Sequence, residues 1–139
     1  MKVLKFQPIM GQSEQIIEAI LHTEEVMACT TDQYAIHLAC EELVVNVVNY
    51  AYTGVDDSLA YLDVKINKTD DELCITFIDG GMAFNPLERE TPDITLSLEE
   101  RDIGGLGIFL TIQMMDEVVY ERCNEENILT LRKRLTKGA

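Results

Sequence analysis

Three clusters of residues carry types and spacings that could do chemistry. In "EELVVNVVNYAY", residues 41–52, a carboxylate and two carboxamides interrupt an apolar run. Wound at 3.6 residues per turn, Glu42, Asn46 and Asn49 fall at i, i+4 and i+7, one above another on a single helical face. A helix that is apolar almost all round belongs in a core, so a polar stripe on it asks for a partner other than the core. In "DGGMAF", Asp79 closes an apolar strand, and Gly80 and Gly81 let the backbone turn or approach a ligand closely. In "GGLG", Gly104, Gly105 and Gly107 stand at the start of a helical pattern. Exposed N–H groups and the helix dipole there suit a phosphate.

Each cluster has an ordinary explanation when taken alone. A glycine pair after a strand is usually a turn, and a single asparagine can be a satisfied core amide. The glycine-rich helix start is not a Walker loop, because no Gly-Lys-Ser/Thr follows. It is not a Rossmann fingerprint, because it does not follow the first strand of a βαβ unit. The conjunction of all three, in this order and spacing, outweighs the separate explanations.

The elements that must position them follow from periodicity. "VLKFQP" alternates as a first strand ended by Pro8. Residues 13–27 carry Ile16, Ile17, Ile20 and Leu21 at helical spacing behind a capping Ser13. Residues 31–52 read as one long second helix, although its valines are poor helix formers. Residues 59–68 and 72–79 alternate on either side of Thr69, Asp70 and Asp71, which predicts a hairpin. Residues 85–103 hold two prolines and little periodicity, as expected of a functional loop. A helix over 105–115 and two strands around "NEEN" close the chain. Without βαβ repetition, this order predicts an α+β fold: a two-layer α/β sandwich, with a mostly antiparallel sheet and helices on one face.

At 139 residues, with 47% hydrophobic and 26% charged, the chain is expected to form one ordered domain over 1–139. The net charge of −14 argues against a direct nucleic-acid partner, which would require a basic face. No apolar run is long enough to cross a membrane, and the N-terminus is too interrupted for a signal peptide. Cys29, Cys40, Cys74 and Cys123 lack metal-ligand spacing and read as free core thiols of a cytoplasmic protein.

The three clusters together resemble the Bergerat-fold superfamily of ATPases and kinases, which includes gyrase-type and histidine-kinase domains. Within it the chain is most similar to the stand-alone anti-sigma factor serine/threonine kinases, over nearly its whole length. Glu42-x-x-x-Asn46 resembles the family's N box, Asp79-Gly80-Gly81-x-x-Phe84 its first glycine box, and Gly104-Gly105-Leu106-Gly107 its second. The resemblance implies an ATP and Mg²⁺ site. Asn46 would be the metal ligand, Asn49 a second amide near phosphate or water, and Asp79 the adenine reader. Gly81 would leave room for the base, and Phe84 would be wall or core.

Residues 85–103 would form an ATP lid. Arg101 would reach the γ-phosphate, and Gly104, Gly105 and Gly107 would turn N–H groups toward phosphate. Thr130 would place a hydroxyl near the nucleotide, and Glu42 would be the general base. Tyr50 departs from the pattern, since relatives often carry histidine there. The implied function is phosphorylation of an anti-sigma factor antagonist together with sequestration of a sigma factor, by a homodimer that pairs through residues 2–21. The alternatives are an ATP-dependent binding module without phosphotransfer, and a slow ATPase.

Overall fold

The computed structural model describes residues 1–88 and 110–135. Five strands, β1 (Lys2–Phe6), β2 (Leu62–Lys68), β3 (Glu72–Asp79), β4 (Glu117–Cys123) and β5 (Glu126–Arg134), form one sheet in the order β1-β2-β3-β5-β4. Every neighbouring pair is antiparallel. Three helices precede β2: α1 (Ser13–Leu21), α2 (Glu24–Met27) and α3 (Gln33–Asn46). Residues 110–114 are helical as well. The α+β sandwich predicted from the sequence is the one observed.

Alternation along the strands divides the sheet into two unlike faces. Leu62, Val64 and Ile66 of β2, Leu73, Ile75 and Phe77 of β3, and Leu129 and Leu131 of β5 all point one way and are buried. They form a single cluster with Ile16, Ile17 and Ile20 of α1 and with Ile36, Leu43 and Val44 of α3. The other face carries Asp63, Cys74, Thr76, Ile78, Ile128 and Thr130, none of them fully buried.

Two helical segments depart from the expectation. The predicted helix over 13–27 breaks at His22 and Thr23. There the Thr23 hydroxyl donates to Ile20 O at 2.8 Å and accepts from Val26 N at 3.4 Å, which ends one helix and caps the next. The predicted helix over 31–52 is three pieces: a 3-10 turn at Thr30–Asp32, α3, and a π-helical turn at Val47–Ala51. The π turn inserts one extra residue per turn, and this re-aims every side chain after Asn46.

The closing hairpin turns through Asn124 and Glu125, both in the left-handed region at φ 52° and 65°. That geometry belongs to a tight two-residue turn whose twist matches the strands. The two positions set the register of β4 on β5, with Cys123 opposite Glu126. Cys123 is exposed beside this turn, so it is not the core thiol its spacing suggested, whereas Cys29 and Cys40 are buried. Burial pushes the Cys40 thiol up to about 12.

The unlike faces predict unlike mutational costs. Ile66 is 0% exposed, so Ile66→Ala is expected to lose about 2–5 kcal/mol of stability. Ile78→Ala, on the half-exposed face, is expected to lose well under half of that. Urea unfolding of both variants checks the assignment of faces; equal losses would contradict it.

Candidate active site

Between the end of α3 and the inner face of the sheet lies a cavity of about 450 Å³. Its walls come from Leu43, Asn46 and Val47 on the helix, Phe77 and Asp79 on β3, and Asn127 and Leu129 on β5. Tyr50, Ala51, Met82, Phe84 and Tyr120 are also part of the lining. The walls are mainly apolar, with Asn46, Asp79 and Asn127 supplying the amide and carboxyl groups, the usual make-up of a small-molecule site.

The π turn decides which residues face this space. In a regular helix Asn46 and Asn49 would share the stripe. With an extra residue in the turn, Tyr50 and Ala51 come round to the cavity, and Asn49 sits half-buried off its wall. Asn49 is therefore not among the residues that line the cavity. Glu42 lies one regular turn before Asn46 on the same helical face and is half-buried. Burial, and secondarily the neighbouring Glu41, holds its carboxyl above the usual range.

Ala51, the last residue of the π turn, has a carbonyl with no helical partner to come. It accepts instead from Met82 N at 2.8 Å, which docks the glycine loop onto the helix. The approach is so close that a Cβ at Gly81 would stand 2.4 Å from Ala51 O. Glycine at 81 is therefore a requirement of contact with the helix end. Arg122 of β4 fastens the same loop by donating to Gly81 O at 2.9 Å.

Asp79 is only 6% exposed. Its Oδ1 accepts from Gly81 N at 2.9 Å and from Asn127 Nδ2 at 3.0 Å. Its Oδ2 has no partner among the described residues, which leaves one carboxylate oxygen for a ligand. Burial raises the Asp79 carboxyl, while Asn127, the Gly81 N–H and Arg122 pull it down and Glu126 pushes it up again; the balance lies above the usual carboxylate range.

Asn127, also 6% exposed, has every polar atom engaged. Besides Asp79, its Nδ2 donates to Met82 O at 2.9 Å, and its Oδ1 accepts from Phe84 N at 3.2 Å and from the Tyr120 hydroxyl.

Asn127 is the residue that reading the sequence missed, and Thr130 is the one it misplaced. Thr130 lies three positions on, with opposite parity along β5, and its hydroxyl is 3.3 Å from that of Thr76 on the far face of the sheet. A two-residue turn at Asn124–Glu125, carried forward by alternation from Leu129 and Leu131, would have put Asn127 on the inner face. Phe84 is wall rather than core, 45% exposed and lining the cavity. Arg101, Gly104, Gly105 and Gly107, with the part of the lid from residue 89 on, lie outside the described residues.

Asn46 reaches into the cavity with its Nδ2 buried and without a partner among the described residues. A buried polar atom left unpaired costs about 1–3 kcal/mol unless something fills its need. A nucleotide with its cation fits the donor set: an amide beside an apolar slot, and a free carboxylate oxygen at the far end. Among the described residues no group of three His, Cys, Asp or Glu side chains could hold a metal by itself. A cation here would therefore depend on its ligand's phosphates as well as on Asn46.

Residues 10–133 match the family of histidine kinase-like ATPase domains. The chain belongs to that family. Membership in that family implies ATP binding. The chain is also 27% identical over 99 residues to the serine/threonine-protein kinase BtrW of Bordetella bronchiseptica, an overlap covering 71% of this chain and 68% of that protein. Among the described residues no helix of this family member is long and apolar enough to cross a membrane.

Two outcomes follow from the site. Gly81→Ala must separate Ala51 from the loop, so it is expected to lose about 1–3 kcal/mol of stability and to abolish ATP binding by calorimetry. For Asp79 the folded carboxyl lies above its unfolded value, so the unfolded chain releases its proton first as pH rises. Stability therefore falls as pH climbs from the ordinary carboxylate range through the raised value, and it is greatest below that window. Asp79→Asn should flatten this segment of the stability profile and leave the ligand-free protein more stable than wild type at neutral pH. It should also weaken ATP binding by about 1–3 kcal/mol. An unchanged pH profile would contradict the burial argument.

Proposed function

We propose that the chain is an Mg²⁺-ATP-dependent regulatory serine/threonine protein kinase. The observation that carries this reading is the half-buried Glu42, one helical turn before Asn46, which lines the cavity. A proton acceptor beside the phosphate end of a nucleotide site serves phosphoryl transfer, to a hydroxyl or to water, and is superfluous in a module that only binds ATP. The named activity of the Bordetella relative supports the same choice.

The roles in this reading come from the family resemblance, and the cavity lining supports those of Asn46 and Asp79. Asp79 presents its free oxygen to the exocyclic amino group of adenine; guanine offers a carbonyl there and is repelled. Phe77, Leu129 and Val47 exclude water from the base. Asn46 lends its amide oxygen to the cation. Mg²⁺-ATP, when bound, supplies the phosphoryl group and the charge that neutralises it. Glu42, with its carboxyl raised by burial, takes the proton of the incoming serine or threonine hydroxyl. Arg101, Gly104, Gly105 and Gly107 complete the phosphate end in this reading, and residues 85–103 close over it.

The protein substrate is an anti-sigma factor antagonist, and the sequestered partner a sigma factor, on the strength of the family resemblance. The same resemblance assigns a homodimer through residues 2–21 and a cytoplasmic place of action.

A paired measurement tests the reading. Wild-type protein should bind ATP in preference to GTP by calorimetry. Glu42→Gln should retain ATP affinity while phosphotransfer to a serine-bearing partner falls roughly 10²–10⁴-fold. Asn46→Ala should lose both, because the cation goes with it. Transfer at the wild-type rate in Glu42→Gln would remove Glu42 from the chemistry. Tight ATP and partner binding without any transfer in wild type would favour the non-covalent switch.

A further inference from the structure

The phenol of Tyr52 makes three hydrogen bonds, all to backbone. It accepts from Gly80 N at 2.7 Å and from Tyr61 N at 3.2 Å, and it donates to Tyr61 O at 2.5 Å. One donor and two acceptor sites are all that a phenol offers, so the group is saturated. The three bonds join the residue after the π turn, the approach to β2, and the first residue beyond β3. Gly80 is the neighbour of Asp79, and the other neighbour in that turn, Gly81, donates to Asp79 Oδ1.

A second tyrosine provides the contrast. Tyr61 lies against the same loop, its ring standing where a Cβ on Gly80 would come within 2.7 Å. Its ring centroid is 6.5 Å from that of Tyr52. Its hydroxyl, however, turns away and donates to Glu126 Oε2 at 2.6 Å on β5. Both phenols strap the same corner, but only that of Tyr52 holds an amide of the glycine loop.

We propose that Tyr52 is a positioning residue for recognition of the adenine amino group: its oxygen fixes the Gly80 N–H and thereby the angle at which Asp79 presents Oδ2 to the cavity. This rests on the nucleotide reading above. Tyr52 does not line the cavity, so it acts through Asp79. Losing its hydroxyl disturbs the contact that distinguishes one purine from another and leaves the contacts that any purine triphosphate makes.

The test compares ATP with purine riboside triphosphate, which lacks the 6-amino group, by calorimetry with Mg²⁺. Wild type should prefer ATP. In Tyr52→Phe, ATP affinity should fall about tenfold, in line with loss of a well-placed bond to a charged group. Affinity for the purine analogue should change less than about twofold, so that the preference disappears. Tyr61→Phe, which removes the Glu126 bond and leaves the Gly80 bond, should keep the preference.

If wild type shows no preference, the adenine assignment of Asp79 fails and takes this inference with it. If wild type discriminates and Tyr52→Phe discriminates equally, only the inference falls. An equal loss for both ligands would make Tyr52 a general strap and also overturn it. Should Tyr52→Phe fail to fold, amide exchange at Gly80 in the wild type decides. Protection in the ligand-free protein is the expected result, and exchange at the rate of an open loop overturns the proposal.

Discussion

The contact on which the site depends is the one between Gly81 and Ala51. A sheet and a helix normally pack with a layer of side chains between them. Here the backbone of the loop after β3 touches the backbone at the end of the π turn, with the Met82 amide on the Ala51 carbonyl. Two conditions make this possible. The π turn ends the helix with a carbonyl aimed sideways, and residue 81 has no side chain. Once the loop is docked, Asp79 can stand on one wall of the cavity and Asn46 on the other, with room for a flat ligand between them.

The loop carries little apolar surface of its own and is held by polar bonds from every side. Ala51 takes Met82 N, Tyr52 takes Gly80 N, Arg122 gives to Gly81 O, and Asn127 gives to Met82 O and Asp79. Such a network is rigid only when complete, because each missing bond leaves a polar group with little or no water. The one member left partly unsatisfied is Asp79, whose second oxygen has no described partner. A carboxylate kept in a place that disfavours its charge costs stability in the free protein, and that cost is recovered when a donor arrives.

Much of this was legible in the sequence, and the losses have physical causes. Alternation gave β2 and β3 because one face of each is buried and the other is not, and the boundaries at Thr69–Asp71 agree with the observed turn. Asp79 and Asn46 were picked out by type and spacing, and both line one cavity, while Gly81 packs against Ala51 beside it. The π turn that takes Asn49 off the cavity lining was not legible, because periodicity assumes a constant turn and nothing in "VVNYA" announces an extra residue. Thr130 was placed on the wrong face, and Asn127 missed, because Glu125 stands at the second left-handed position, where glycine is the usual signal of such a turn. The hairpin register could not be counted from glycines that are not there. The break at His22 and Thr23 was hidden because Thr23 ends one helix and starts the next with a single hydroxyl.

The order of the strands bears on when the site can exist. β3 lies between β2, its close neighbour in sequence, and β5, whose Asn127 meets Asp79 across 48 residues of chain. A chain emerging from the ribosome can pair β2 with β3 early, since their connection is short. Until the final hairpin arrives, however, Asp79 has neither Asn127 to orient it nor Arg122 to hold its loop. The core between helices and sheet also lacks Leu129 and Leu131 at that stage. The last described strand therefore enters between β3 and β4, and the cavity cannot be walled until that strand and β4 have both been made.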